Sequence, residues 1–352
     1  MTESACWGLI FNFESDKQMT DLNAPGVAKA LSKQILEDID EYCVKLYDDG
    51  HRTHLGASLI GDECKRKLWY VFRWVKQEKF EGRVLRLFNR GHKEEDRFIE
   101  WLEGIGVQVW ADDLTNNKLF YVEEDSSYFL NEHEENFKNE LAVNVTSFRE
   151  HINRAKADGL KFPQYRISAV SGHFGGSLDG IARLPERYGV KDPVLLEFKT
   201  INDKGHKKLV KSGMIIEKAQ HYAQTCTYGV EYGLSHVLYM STHKDTDTIH
   251  TELVKLNHHL GEEMKLKAEQ VIRAIVPPPK LSENATFFKC KYCDFADICH
   301  SGGICEKNCR SCKHAMPAEN AEWVCTLSNE IIPKDFIPLA CNNYMAITNK
   351  CM

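Results

Sequence analysis

Asp179 and, further along, Glu197-Phe198-Lys199 put two carboxylates and an ammonium on segments that read as neighbouring β-strands. Residues 173–184 (HFGGSLDGIARL) and 194–200 (VLLEFKT) are apolar, partly alternating runs on either side of a turn-rich loop, 185–193 (PERYGVKDP). Folding the strands back about that loop brings Asp179 opposite residues 197–199. Side chains alternate along a strand, so Glu197 and Lys199 share one face while Phe198 turns to the other, toward a core. Such a group suits a hard divalent cation. Carboxylate oxygens hold the ion and water completes its shell, while a nearby Lys orients or deprotonates a water and offsets charge developing on a phosphate. The bland alternative is a half-buried hairpin with a surface Asp and a cross-strand Glu/Lys pair.

Two helices are placed to complete such a site. Residues 217–232 (EKAQHYAQTCTYGVEY) have a helical pattern, and the spacing in Gln224-x-x-x-Tyr228 puts amide and phenol on one face. Residues 84–105 (VLRLFNRGHKEEDRFIEWLEGI) are strongly helical, with Leu85, Phe88, His92, Glu95, Ile99 and Leu102 recurring every three or four positions. Glu95 therefore falls on an otherwise inward stripe, where an acid is costly unless paired or metal-bound. Its neighbours Glu94 and Asp96 read as solvated.

In chain order, Gly91-x-x-x-Glu95, Asp179, Glu197-x-Lys199 and Gln224-x-x-x-Tyr228 resemble the PD-(D/E)XK nuclease superfamily over roughly residues 50–300. The RecB-type and lambda-type exonucleases and the CRISPR-adaptation nucleases are the nearest branches. The resemblance implies an α/β fold, a restriction-endonuclease-like core with a central mixed sheet flanked by helices. It implies that Glu95, Asp179 and Glu197 hold Mg²⁺ or Mn²⁺, that Lys199 is catalytic, and that Gln224 and Tyr228 support the site or contact DNA. The implied activity is a metal-dependent DNA exonuclease hydrolysing phosphodiester bonds in recombination or repair. Its partners would be DNA and a single-strand annealing protein or helicase. The sequence departs from the pattern twice: Leu178 stands where the family has Pro before the Asp, and Glu95 where RecB-type members carry His. Two other readings stay open, a nuclease subunit of a helicase-nuclease or CRISPR-adaptation complex, and a non-enzymatic DNA-binding or scaffold protein with structural metal sites.

Cysteines are the second signal. Eight of the chain's 13 lie between Cys290 and Cys341, beginning with a C-x₂-C-x₅-C run at Cys290, Cys293 and Cys299. Residues 58–70 (SLIGDECKRKLWY) carry Cys64 ahead of the nuclease-like motifs. In the iron-sulfur branch of these nucleases one cysteine before the motifs and three after them hold a [4Fe-4S] cluster. The resemblance thus implies Cys64, Cys290, Cys293 and Cys299 as ligands, with zinc on the same thiolates as the alternative. Beyond them, Cys309-Arg-Ser-Cys312, Cys325 and Cys341 have the spacing of small zinc modules, with Cys305 and His314 as competing ligands. A short tail cannot easily build its own core, so a structural Zn²⁺ would explain its folding; a tail with incidental thiols is the alternative. Cys6, Cys43, Cys226 and Cys351 read as structural or free.

The remaining features set the frame. The 352-residue chain, 43% hydrophobic and 10% aromatic, is long enough for one large domain plus a small module. The expected organisation is an N-terminal helical segment (1–50), a nuclease core (51–280) with an insertion at 106–165, and a cysteine-rich metal-binding module (281–352), with the break at 276–280 (VPPPK). Residues 27–46 read as an amphipathic helix packed on the core, and 143–157 as a helix within the insertion. A net charge of -6 and a pI near 6.2 argue against a general nucleic-acid coat, leaving a local cationic groove. Lys65, Arg66 and Lys67, the series Arg83, Arg86 and Arg90, and Lys204, Lys207, Lys208 and Lys211 are the candidates for it. Trp69, Tyr70 and Trp74 read as core first and base-stacking second. No apolar run is long enough to span a membrane, and the first residues lack the basic start of a secretory signal. The expected location is the cytoplasm of a bacterial or phage-infected cell.

Overall fold

Val194–Ile201 (VLLEFKTI) and His236–His243 (HVLYMSTH) are rich enough in apolar and β-branched side chains to be covered on both faces, and they pair in parallel inside a five-stranded sheet. The computed structural model describes residues 21–48, 50–77, 79–112, 119–122, 127–130 and 164–348, with backbone alone at 119–122 and 127–130. By contact the chain divides into two units, residues 1–48 with 80–86, and residues 49–79 with 87–352.

In chain order the strands are β1 (Leu55–Gly56), β2 (Gln108–Trp110), β3 (Leu119–Val122), β4 (Ser127–Leu130), β5 (Arg166–Ala169), β6 (Phe174–Ser177), β7 (Gly180–Arg183), β8 (Val194–Ile201), β9 (His236–His243), β10 (Ile249–Lys255), β11 (Ala315–Pro317), β12 (Trp323–Cys325) and β13 (Glu330–Ile331). The α-helices are α1 (Val27–Tyr47), α2 (Lys65–Phe72), α3 (Gly82–Gly104), α4 (Asp203–Glu217), α5 (Ala219–Tyr232), α6 (His258–Arg273), α7 (Phe288–Lys291) and α8 (Ala296–His300). The fold is mixed α/β.

The main sheet runs β10-β9-β8-β7-β2, antiparallel except at the β8–β9 pair, and a second sheet runs β1-β6-β5. The run 173–184, read from sequence as one strand, is two. The chain leaves the second sheet after Ser177 and enters the main sheet at Gly180, so Asp179 sits at the crossing point. Gly180 makes this possible, with φ at +155° and its Cα against Leu196 and the Trp110 carbonyl. A strand that changes sheets must break its ladder, and neither face of 173–184 shows that break in its hydrophobic pattern.

Neighbouring side chains of β8 feed two apolar clusters. Leu196 and Phe198 join Phe98, Leu102, Val109, Ala182 and Met240, and the Phe98 and Phe198 rings stack 4.9 Å apart. Burying each of those rings is worth about 1.5–3 kcal/mol. Leu195 enters the other cluster with Trp69, Phe72, Tyr228, Val237 and Tyr239. Helix α5 packs on α6 and against β8 and β9. Side-chain caps fix the helix starts: Asn202 Oδ1 accepts from Gly205 N–H at 2.9 Å before α4, and Asn257 Oδ1 from Leu260 N–H at 3.1 Å before α6.

Helix α1 forms where expected, but its stripe does not pack as read: Ile35, Ile39, Tyr42 and Leu46 are exposed and only Cys43 is buried. Within its unit the close approach is elsewhere, where Gly82 lies so near the Asp40 backbone that a Cβ would collide. Trp69, Tyr70 and Trp74 are buried, in line with the core reading. The expected helix at 143–157 lies outside the described residues. An isolated bridge between Asp112 and Gln164 brings the two ends of the 113–163 segment side by side. Among the described residues no helix is long and apolar enough to cross a membrane.

Candidate active site

Glu197, in β8, is fully buried, and neither of its carboxylate oxygens has a hydrogen-bond partner among the described residues. Its counter-charge is Lys199, whose Nζ lies 2.5 Å from Glu197 Oε1, an ion pair without hydrogen-bond alignment. The same ammonium donates to the Phe198 carbonyl at 2.8 Å and lies 3.6 Å from Asp179 Oδ2. Asp179 is held by the strand crossing: Gly180 pairs with Leu196 across the sheet, and the Phe198 N–H donates to Asp179 Oδ2 at 2.6 Å. Asp179 thus sits opposite residues 197–199, while Phe198 turns to the apolar cluster.

Helix α3 brings Glu95 within electrostatic reach of Asp179, Glu197 and Lys199. Burial, then the charge of Asp179, pushes its carboxyl up to about 8, although Lys199 opposes the shift. Glu197 is also raised, by burial first and then by Asp179, again against Lys199. Burial disfavours the Lys199 charge, yet Glu197 and Asp179 together hold the ammonium above its ordinary value. One correction concerns the same helix. Glu94, read as solvated, is only 4% exposed, its Oε2 accepting from Arg97 at 2.9 Å and its Oε1 unpartnered among the described residues. Phe88 and His92, read as inward, are exposed, and Phe98 is the buried anchor. The buried face is turned by about one residue from the predicted stripe, so Glu95 lies at its border.

Behind the carboxyls, α5 supplies Gln224 and Tyr228, joined by a 3.2 Å hydrogen bond from Gln224 Nε2 to the phenol oxygen. Burial and the charge of Glu197 raise the Tyr228 phenol, which stays protonated and able to donate. Room for it comes from Gly176: a Cβ there would collide with the Tyr228 hydroxyl. Two further residues escaped the sequence reading. His221 Nδ1 and the Tyr239 hydroxyl are 3.0 Å apart. Burial, then Lys199 and Lys218, bring His221 down to about 3, so it is neutral. His221 lies one turn before Gln224, and Tyr239 pairs with Glu197 in the parallel register, a relation visible only once β8 and β9 are known to be neighbours.

The donor set fits a hard divalent cation. Three carboxyls lie around one ammonium, Glu95 and Glu197 are raised chiefly by burial, and Glu197 Oε2 has no hydrogen-bond partner among the described residues. As placed, Lys199 occupies the position between Glu197 and Asp179, and among the described residues no three His, Cys, Asp or Glu side chains stand close enough to hold one ion.

Both cysteine groups are gathered by the fold. Cys64, Cys290, Cys293 and Cys299 line one open cavity of about 440 Å³, with Arg66, Lys67, Lys289 and His300 on the same walls. Burial raises the Cys293 and Cys299 thiols. Lys65, Arg66 and Lys67, candidate groove residues, are engaged by protein partners: Lys65 donates to Gln270 Oε1, Arg66 to the Pro278 carbonyl, and Lys67 pairs with Asp62. Lys204, Lys207, Lys208 and Lys211 are exposed along α4, Lys207 pairing with Asp203. Cys309, Cys312, Cys325 and Cys341 line a second, much smaller cavity of about 30 Å³, together with His314. Cys305 is not on its wall and shares a 2.9 Å hydrogen bond with Thr348 Oγ1. Cys43 and Cys226 are buried and in no disulfide, whereas Cys6 and Cys351 lie outside the described residues.

No protein-family model matches the chain, and no curated protein matches it. Among solved structures it is similar to SSO0001, with 12% identity and a TM-score of 0.37 over 75% of this chain and 96% of that one. It is also similar to the alkaline exonuclease LHK-Exo from Laribacter hongkongensis, with 13% identity and a TM-score of 0.34 over 67% of this chain and 90% of that one. The complex of LHK-Exo with dAMP gives the same identity and coverage at a TM-score of 0.35.

The raised carboxyls predict how the metal-free protein responds to pH. A carboxyl whose folded value is about 8 holds its proton more tightly when folded, so its stabilising contribution is complete below the ordinary value of 4.5 and is lost as pH rises toward 8. The melting temperature of the metal-free chain should fall across that window, and Glu95→Gln should flatten the fall. A wild-type profile that Glu95→Gln leaves unchanged would contradict the placement of Glu95.

Proposed function

We propose that this protein is a divalent-metal-dependent deoxyribonuclease, an exonuclease acting on DNA in recombination or repair. The observation that carries this reading is Glu197: a fully buried carboxylate whose close counter-charge is the Lys199 ammonium and whose Oε2 has no hydrogen-bond partner among the described residues, beside Asp179 and Glu95. A surface salt bridge would have no such desolvated oxygen, and a structural buried acid would be hydrogen-bonded.

Glu95, Asp179 and Glu197 would hold Mg²⁺ or Mn²⁺, which when bound polarises a phosphate and makes a water more acidic. Lys199 would orient the attacking water and offset the charge that builds on the phosphoryl oxygens. Water attacks phosphorus and the bond to one ester oxygen breaks. Tyr228 stays protonated and accepts a hydrogen bond from Gln224 behind the carboxylates. The exposed lysines of α4 follow directly from β8 and supply a local cationic surface for the phosphate backbone, despite the net negative charge of the chain. The same reading gives Cys64, Cys290, Cys293 and Cys299 a [4Fe-4S] cluster. Its support is that Cys64, distant in sequence, lines one cavity with Cys290, Cys293 and Cys299, with Arg66, Lys67 and Lys289 there to offset thiolate charge.

Purified protein with Mn²⁺ should degrade linear or single-stranded DNA, and Lys199→Ala should slow it by about 10²–10⁴-fold. Equal degradation by both proteins, or none by either across metals and substrates, would sink the mechanism. Anaerobically purified protein should be brown, with visible absorbance that Cys293→Ala removes. A colourless protein carrying only zinc would refute the cluster.

A further inference from the structure

Two guanidiniums are buried together where the last part of the chain meets α2. Arg73 and Arg310 are each about 1% exposed, and neither has a carboxylate partner among the described residues. Arg73 Nη2 donates to the Cys312 carbonyl at 2.7 Å, and its Cζ lies 5.0 Å from the centre of the Trp323 ring. Arg310 donates to the carbonyls of Thr53, at 3.0 Å, and Phe72. Its Cζ lies 4.4 Å from the Trp74 ring and 4.6 Å from Trp323. The Nε of each has no hydrogen-bond partner among the described residues. Aromatic faces and carbonyl dipoles ease the burial of a cation, but two like charges sharing one tryptophan need a net negative charge nearby.

The source of that charge is on the same segment. Arg310 stands between Cys309 and Cys312, and the carbonyl that Arg73 holds is that of Cys312. Cys309, Cys312, Cys325 and Cys341 surround the 30 Å³ cavity, a space about the size of one water or one ion. The turn has the features of a metal knuckle: Cys312 N–H donates to the Cys309 carbonyl at 3.0 Å, and Met345 N–H donates to Cys312 Sγ at 3.4 Å. Four neutral thiols would leave the arginines uncompensated. Four thiolates without a metal would repel one another.

We infer that Cys309, Cys312, Cys325 and Cys341 bind one zinc ion as four thiolates, and that the two net negative charges of this centre are the counter-charge for Arg73 and Arg310. As placed the four thiols line the cavity without standing close enough to share one ion, so binding would draw them inward, with the arginines as positioning residues through the Cys309–Cys312 turn. The same turn is tied to the start of the larger unit by Asn308 Nδ2 donating to the Trp74 carbonyl at 2.8 Å and Glu306 N–H donating to the Val75 carbonyl at 2.8 Å. Zinc is thereby a clamp between residues 305–348 and residues 51–77, and this holds whether or not the chain cuts DNA.

The test uses the full-length protein and counts zinc by metal analysis. Cys325→Ser and Cys341→Ser should each remove one equivalent relative to the parent, while Cys305→Ser should remove none. Cobalt substituted for that zinc should give the charge-transfer bands of a four-thiolate site, unaltered by His314→Ala. Arg73→Met should weaken zinc binding about 10–100-fold in chelator competition, and Arg73→Lys, which keeps the charge, should retain most of it. Because Arg310 is part of the core, the second measurement is on the unaltered chain, where stripping the zinc should expose residues 305–348 to protease. Zinc content unchanged in Cys325→Ser and Cys341→Ser, or a stripped chain as protease-resistant as before, would overturn the site. A cobalt spectrum that shifts in His314→Ala, or an Arg73→Met affinity within twofold of the parent, would overturn the charge balance.

Discussion

Removing a carboxylate from water costs several kcal/mol unless a counter-charge and hydrogen bonds replace the lost solvent, and Glu197 has the Lys199 ammonium against Oε1 but no hydrogen-bond partner for Oε2 among the described residues. The surrounding structure follows from that imbalance. Strand β8 is flanked on both sides, so Glu197 has no route to solvent. The sheet crossing at Asp179 adds a second carboxyl, and α3 adds a third at Glu95. One ammonium is left to answer three acids, and burial first, with Asp179 adding to it, displaces Glu95 and Glu197 toward the protonated form. A site in this state favours any added positive charge, and a hard divalent cation answers the deficit with the ligand type that is present.

The far end of the larger unit carries the opposite imbalance. Around Trp323 two cations are buried without acids, next to four cysteines, and around Glu197 acids outnumber cations. In each place the missing charge has the sign of a metal centre, a bare dication in one and a thiolate-rich complex in the other. Helix α2 stands between the two cysteine groups: Cys64 caps its start, accepting from Lys67 N–H at 3.4 Å, and Arg73 follows its end. Its burial through Leu68, Trp69 and Phe72 makes it a rigid spacer joining the 440 Å³ cavity to the arginine pair.

What the sequence made legible was chemistry held within single elements. The alternation in 194–200 placed Glu197 and Lys199 correctly, and the spacing of Gln224 and Tyr228 on one helix gave their hydrogen bond. What it hid depended on relations between elements. In 173–184 the local mark of the change of sheet is the dipeptide Asp179-Gly180, which lies inside a run apolar enough to be read as one strand. The helical stripe through Glu95 was off by about one residue at its middle, where Phe98 meets Phe198, while Leu85 and Leu102 are buried as read. His221 and Tyr239 became visible only through the pairing of β8 with β9. The apolar row of α1 fits an amphipathic helix, yet it stays exposed, since periodicity states which residues share a face and not whether anything covers it. The burial of Arg310 among the Phe72, Trp74 and Trp323 rings depends on segments far apart in the chain and has no signal in the cysteine knuckle itself.

The central claim is that Glu95, Asp179 and Glu197 form one cation site whose protons are displaced by the ion. Calorimetric titration of the protein with Mn²⁺ near neutral pH, in two buffers of different ionisation enthalpy, measures affinity and proton release together. The account predicts binding with net proton release, and loss of both in Glu197→Gln. Binding of equal strength in wild type and Glu197→Gln, or binding without proton release, would contradict it.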